Sequence, residues 1–209
     1  YGVKNVKLYF IMGLPTEQEE DLQGIVDIVC LIKKLHAEYG TSKLLNITVS
    51  TSIFIPKPLT PFQWERQISM QEMLDKQAFM REKLRMKNVK YSWHGAESSI
   101  IEAIFARGDK SLAKVIVKAY ELGCVFDSWS ENFHYDKWIE AFELCGVDYQ
   151  KFLGGFAEDE ELPWDIIDNG VTKAYLLKER HKAYEGICTP NCLKKCNGCG
   201  ANRLERCRI

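Results

Sequence analysis

Five of the eight cysteines of this chain fall within its last 22 residues. Four of them, Cys188, Cys192, Cys196 and Cys199, lie in the stretch "CTPNCLKKCNGCG" with two or three residues between successive thiols. Such steps let consecutive sulfurs converge from one loop onto one ion, and Asn197-Gly198 supplies a tight turn between the last pair. Lys194, Lys195, Arg203 and Arg206 favour thiolate over thiol. Four thiolates bind zinc tetrahedrally, and four thiolates also hold an iron–sulfur cluster. Spacing does not separate the two, and unliganded thiols are the third reading. Cys207, eight residues beyond Cys199, could replace Cys188 as fourth ligand. A tail this short has no core of its own, so a metal would supply its folding energy. With no secretory mark in the chain, a metal site is expected before a disulfide framework. Cys30, Cys124 and Cys145 sit among apolar neighbours and read as free buried thiols.

The remaining composition sets bounds. Apolar residues make up 46% of the 209, enough for a packed core, and the net charge is −1. Its distribution is uneven. Residues 158–168, "EDEELPWDIID", carry six acids and no base, whereas residues 170–209 carry nine Lys or Arg against three Glu. A basic tail can touch phosphate or can simply be a solvated charged face. No stretch approaches the ~20 apolar residues of a membrane span, and no signal peptide is visible. A cytoplasmic protein with no membrane partner is expected. The first residues already read as a strand without an initiator Met, so the chain is expected to be a piece of a longer protein.

Periodicity gives the elements that must position these groups. Residues 4–12 are strand-like, and Gly13-Leu14-Pro15 breaks the run. Thr16 and Glu19 read as a capping box. Apolar residues from Leu22 to Ile32 recur at helical spacing, giving a helix over 17–38 that stops at Gly40. Residues 44–56, "LLNITVSTSIFIP", read as apolar on both faces after Asn46, as in a covered parallel sheet. "PKPLTPFQW" is a Pro-rich loop. Ser69 and Glu72 open a second helix to about Met86, and residues 89–94 form a third strand. Residues 1–94 thus read β-α-β-α-β, the parallel α/β pattern. Beyond Gly95, helices are expected over 97–106, 109–122, 135–145 and 171–185, with Asp109 as an N-cap. Trp129, Phe133, Trp138 and Phe142 are expected in the core of a small helical domain.

Several stretches resemble radical S-adenosylmethionine (radical SAM) enzymes. "FIMGLPTEQEEDL" resembles the family's "GFPGETEEDF" segment, which joins a late barrel strand to its helix. "FIPKPLTPFQW" resembles the segment after a following strand, where some members carry "YSPRPGTP"-like sequence. "ESSIIEAIFARGDKSLAKVI", "CVFDSWSENFHYDKWIEAFE", "LPWDIIDNGVTKAYLLKE" and "TPNCLKKCNGCG" are similar, in that order, to the C-terminal part of bacterial cobalamin-type members of unassigned substrate. The resemblance implies an α/β chain that is the C-terminal part of a partial radical SAM (β/α) barrel over 1–95. A mainly α-helical domain over 96–185 and a Cys-rich, metal-binding tail over 186–209 would follow. It implies S-adenosylmethionine as cofactor, lined by Gly13, Leu14, Pro15, Glu17, Ile55 and Pro56. Thr16 stands where the family pattern carries Gly.

The resemblance also implies that the family's own 4Fe–4S cluster motif, C-x3-C-x2-C, lies upstream of this chain. That motif follows the first barrel strand. Cys192-Cys196-Cys199 has the same spacing but only ten residues after it, and Gly198 stands where the family has an aromatic residue. The tail site would therefore be auxiliary. A cobalamin-binding domain is likewise implied upstream. The intact protein would cleave S-adenosylmethionine reductively to drive methyl or sulfur-group transfer to an unknown substrate, RNA or protein. Its missing N-terminal part is then a partner of this chain, which alone would be inactive. The alternative from another class is a non-catalytic module whose metal-stapled helical domain binds RNA or a protein. Two residues keep double readings. Glu17 can line the pocket or, in the first turn of a helix, complement its dipole. His94, at a strand end, can be a base or ligand, or a hydrogen-bonded structural residue.

Overall fold

A computed structural model of the chain describes residues 2–42 and 44–204, Leu204 through its backbone alone. The fold is mixed α/β. Strands β1 (Asn5–Met12), β2 (Asn46–Ile53) and β3 (Val89–Trp93) form a parallel sheet in the order β1-β2-β3. Helices α1 (Glu19–Tyr39) and α2 (Met70–Lys83) make the two crossovers. After β3 come α3 (Ala96–Arg107), α4 (Leu112–Glu121), α5 (Tyr135–Leu144), α6 (Gln150–Leu153) and α7 (Lys173–Tyr184). A 3-10 turn over Ala201–Leu204 closes the described chain. No helix among the described residues is long and apolar enough to cross a membrane.

The chain divides into two compact units. The first comprises residues 1–54 and 68–100 and contains the sheet. Strand order 1-2-3 with right-handed crossovers puts both helices on one side. That side is buried: Met12, Ile47, Val49, Thr51 and Ile53 are all at most 6% exposed. Leu22, Ile25, Val26 and Val29 of α1 and Met73, Gln77 and Met80 of α2 provide the buried stripes. The opposite side is open. Tyr9 is 70% exposed and Ile11 53%. The reading of β2 as apolar on both faces is thus corrected. Thr48, Ser50 and Ser52 alternate with the buried Ile47, Val49, Thr51 and Ile53, and only one face is covered.

The second unit comprises residues 55–67 and 101–209. Where the sequence suggested a boundary near residue 95, the division falls inside α3, and the Pro-rich loop joins the helical unit. That loop supplies the centre of one of the unit's core clusters. Trp64 packs with Leu162, Trp164 and Leu176, flanked by Leu59, Phe156, Val171 and Leu177. Gln63 is 2% exposed. Its Oε1 accepts from the Trp164 indole N–H at 2.7 Å and from the Leu59 N–H at 2.8 Å. Phe156 N–H donates to the Trp64 carbonyl and Gln67 N–H to that of Leu153. Arg180 Nε bonds Glu65 Oε1 at 2.7 Å, and its Nη1 reaches Glu158. Arg107 is wholly buried. Its guanidinium lies 4.4 Å over the Phe156 ring and donates to the Gly154 carbonyl at 2.8 Å. Burial lowers its pKa to about 10, with Glu65 working in the opposite direction.

Three local expectations change. Trp138 and Phe142 are buried as expected, but Trp129 is 62% exposed, on a turn after α4 that α5 does not cover. Asp109 does not cap α4 directly. Its Oδ1 accepts from the Ser111 N–H at 2.7 Å in an Asx turn, and the helix starts after Ser111. α1 starts later than expected, at Glu19 after Gln18. Asp21 Oδ2 accepts from the Gln18 N–H at 2.9 Å, the acid half of a capping box, so Thr16 and Glu19 play no such part.

Candidate functional site

The carboxyl ends of the three strands, with the loop after β1, enclose an open cleft of about 840 Å³. Parallel α/β sheets place ligands at this edge. The lining is Tyr9, Phe10, Ile11 and Leu14 from β1 and its loop, Ser50, Thr51 and Ser52 from β2, and Ser92, Trp93 and His94 at the end of β3. Its walls are apolar and aromatic, its polar groups are chiefly neutral hydroxyls, and among the described residues no carboxylate or ammonium lines it. Such a cleft suits an uncharged, hydroxyl-bearing ring system better than a highly charged ligand.

The loop after β1 is closed on itself. Gly13 has φ +84°, and a Cβ there would lie 2.6 Å from Ile68 Cδ1. Thr16 has φ +68°, a backbone that β-branched residues rarely adopt. Glu17 Oε2 accepts from the Gly13 N–H at 2.8 Å, and Glu17 N–H donates to the Leu14 carbonyl. Glu17 Oε1 pairs with Lys76 Nζ of α2 at 2.7 Å, the carboxylate side chain being only 6% exposed. Glu17 therefore precedes α1 and staples the loop. It neither lines the cleft nor belongs to the first helical turn, whose acids are Glu19, Glu20 and Asp21. Leu14, 39% exposed, is the loop residue that enters the cleft. Pro15 is half-buried beside it. Ile55 and Pro56 are buried in the second unit, just past the end of β2.

At the far side of the cleft the backbone of His94 is held twice. Its N–H donates to the Thr51 carbonyl, and its carbonyl accepts from Gln77 Nε2 at 2.9 Å. Its ring Nε2 lies 3.3 Å from Ser98 Oγ. Beneath it, Tyr91 stacks on Trp93 at 5.0 Å and shares a 2.8 Å hydrogen bond with Thr51 Oγ1. Burial pushes the Tyr91 hydroxyl upward in pKa, the Thr51 bond acting against it. The Ser50, Ser52 and Ser92 hydroxyls were missed in the sequence. The signal was present in the alternation Thr48-x-Ser50-x-Ser52.

The tail returns to the start of α7. Thr172 N–H donates to the Cys199 carbonyl, and a Cβ on Gly200 would lie 2.9 Å from the Gly170 carbonyl oxygen. Lys182 Nζ bonds Thr189 Oγ1 at 2.7 Å. Asn197 Nδ2 bonds the Pro190 carbonyl at 2.7 Å and lies 3.9 Å from Cys192 Sγ. Cys199 Sγ accepts from the Ala201 N–H at 3.5 Å. Cys188, Cys192 and Cys196 are exposed and Cys199 is half-buried, all as free thiols. Among the described residues, no three His, Cys, Asp or Glu side chains gather as a metal-ligating group. The four thiols as placed are therefore not a closed ligand set. Cys207, the other candidate fourth ligand, lies outside the described residues.

No protein-family model and no solved structure matches the chain. It is 28% identical over 148 residues to an uncharacterized protein of Methanocaldococcus jannaschii, an alignment covering 70% of this chain and 31% of that protein. The chain thus spans about a third of the length of the curated relative it matches. What the comparison establishes is a likeness to part of a longer archaeal protein, and no activity comes with it.

Proposed function

We propose that the chain is part of a radical SAM enzyme and that its cleft takes the adenosyl portion of S-adenosylmethionine. The observation that carries the reading is the loop Gly13–Glu17. Its resemblance to "GFPGE" puts Gly where Thr16 stands, and Thr16 has the positive φ that a Gly would adopt without strain. That backbone supports the resemblance to the family segment, and the loop sits at the edge of a parallel sheet where ligands bind. The cleft fits a nucleoside. Tyr9, Ile11 and Leu14 would flank the base, and the Ser50, Ser52 and Ser92 hydroxyls would meet the ribose. Glu17 and Lys76 would position Leu14 without touching the ligand. Bound beside a reduced 4Fe–4S cluster, S-adenosylmethionine supplies a carbon radical. Residues for that cluster belong upstream in this reading, as would any cobalamin domain, so this chain alone forms no 5′-deoxyadenosine.

The tail thiols are proposed to gather only when a zinc ion or an auxiliary iron–sulfur cluster binds them. A segment without a core of its own rarely holds a preformed site, so metal binding and its folding are coupled. Because the ligands are not assembled, no catalytic step is assigned to that metal.

Saturation-transfer NMR tests the cleft. With S-adenosylmethionine, the adenine and ribose protons of the ligand should receive saturation from the 209-residue chain, and the methionine methylene protons much less. Leu14→Lys and Ser50→Phe should abolish the effect. No transfer to the adenosyl protons, or equal transfer in both variants, would refute the reading.

A further inference from the structure

We infer that the outer flank of α4 pairs with α4 of a second copy of this chain, antiparallel, about a two-fold axis between Ile116 and Val117. At about 100° per residue, α4 divides into three faces. Leu112, Val115 and Ala119 point into the second unit and are buried. Lys114, Lys118 and Glu121 share a charged edge. Between the two lies an arc of roughly 100° made by Ala113, Ile116, Val117 and Tyr120. All four are exposed, the last three by half or more. The arc is continuous with the buried face, so α4 is apolar around more than half of its circumference, and its own unit covers only part of that. A helix that meets nothing but its own core keeps the remaining face polar.

The turn after α4 adds to the patch. Phe126 holds φ +59°, which a bulky residue rarely adopts, and its ring is 75% exposed. The Trp129 N–H donates to the Phe126 carbonyl, and between them Asp127 Oδ2 accepts from the Trp138 indole N–H at 3.1 Å. The strained turn is thus held from behind, with an exposed aromatic ring at each end. Exposed aromatic side chains are the usual anchors of protein interfaces.

The arc is complementary to itself. Ala113 and Tyr120 lie near its midline, and Ile116 and Val117 lie on either side of it. An antiparallel copy sets Tyr120 against Ala113 of the other copy at both ends, a large side chain on a small one. Ile116 stands beside Val117 of the other copy in both central layers. Glu121 comes within about 3 Å, measured along the helix, of the level of Lys114 of the other copy, on the same edge. Opposite charges therefore meet twice. A parallel pair would instead set Tyr120 on Tyr120 and Lys114 beside Lys114. An unrelated helix would require no such internal match of size and charge. Each aromatic ring buries roughly 150–250 Å² when fully covered. The arcs and turns of two copies reach the order of 1,000 Å², the lower bound of a specific interface, and a dimer of micromolar affinity is expected. None of these residues belongs to the adenosyl cleft, and the inference does not rest on that reading.

Sedimentation equilibrium of the 209-residue chain tests it, over about 1 to 200 μM to bracket that affinity. A reversible monomer–dimer equilibrium should appear. Ala113→Phe takes the space that Tyr120 of the other copy needs but reaches only solvent in the monomer. It should weaken the dimer about tenfold or more. Lys114→Glu and Glu121→Lys should each weaken it by placing like charges along the edge. Mixed together, those two variants should form a heterodimer about fivefold tighter than either homodimer. Leu31→Glu, on the exposed side of α1, should leave the dimer unchanged. Circular dichroism checks that each variant folds. A chain that stays monomeric throughout, wild-type dimerisation in Ala113→Phe, no preference for the mixed pair, or loss of the dimer in Leu31→Glu would each overturn the inference.

Discussion

Gly13→Ala is the sharpest perturbation of the loop that shapes the cleft. Two separable effects oppose it. At φ +84° any Cβ meets its own backbone, at roughly 1–2 kcal/mol. The same Cβ would lie 2.6 Å from Ile68 Cδ1 and 3.2 Å from Ile68 Cγ1. Overpacking of that kind costs roughly 1–3 kcal/mol, giving a total loss of about 2–5 kcal/mol. Ile68→Val removes Cδ1 and leaves Cγ1 as the nearest contact at 3.2 Å, tight but relieved by a shift of a few tenths of an ångström, at its own cost of about 0.5–1.5 kcal/mol. The double variant should therefore be more stable than the sum of the singles predicts, by the share of the overpacking that Cδ1 causes, about 1–2 kcal/mol. Urea unfolding of the four proteins measures all terms in one cycle, provided their m-values agree. A Gly13→Ala loss under 0.5 kcal/mol would show that the loop has another backbone. Strict additivity would show that Ile68 does not pack on Gly13.

Other expectations follow from the same geometry. Lys76→Met leaves the nearly buried Glu17 carboxylate with a single N–H donor and should cost about 3 kcal/mol, the low end for a broken buried pair. Glu17→Gln keeps an acceptor for the Gly13 N–H and should cost less than Lys76→Met in the same urea assay; the reverse order would contradict the staple. Trp64→Ala should cost about 3–5 kcal/mol in thermal unfolding, because Trp64 is 2% exposed at the centre of the second unit's core; a shift no larger than that of a surface control would refute that placement. Arg107→Met should leave stability nearly unchanged or raise it, since Nε and Nη1 of the buried guanidinium have no hydrogen-bond partner among the described residues, whereas Arg107→Ala should lower it. Cobalt(II) titration should give a thiolate charge-transfer band that is lost in Cys192→Ser, Cys196→Ser and Cys199→Ser and kept in Cys30→Ser; no band in wild type would remove the metal reading.

Period and punctuation made the elements legible. The helical spacing of Leu22, Ile25, Val26 and Val29 places α1, and the Ser69–Glu72 capping box is present at the start of α2, with Glu72 N–H on Ser69 Oγ and Ser69 N–H on Glu72 Oε2. Two kinds of error remained. One was local: Thr16 looked like a cap by residue type, but its backbone is left-handed, and residue type does not report φ. The other was non-local. The span 1–95 that the resemblance implies puts the Pro-rich loop with the α/β part, yet Trp64 and Gln63 find their partners in residues 156–176. Composition cannot show which distant segment covers a tryptophan. The cleft was half legible. Gly13, Leu14 and Pro15 mark its loop, while the serines were hidden because an apolar average over β2 masked its alternation.

The bond between Gln63 and Trp164 joins positions 101 residues apart. During synthesis at about 5–20 residues per second, the loop carrying Trp64 leaves the ribosome roughly 5–20 s before its partner segment exists. For that interval a large indole and a glutamine meant for the interior wait in solvent. The strands and crossover helices on either side, residues 1–54 and 68–100, are complete much sooner. Synthesis thus imposes an order. The sheet can form around an unfinished loop, whereas the second unit cannot close until the chain has passed Leu176. Stalling translation before that point should leave Trp64 open to solvent quenchers, and release past α7 should protect it.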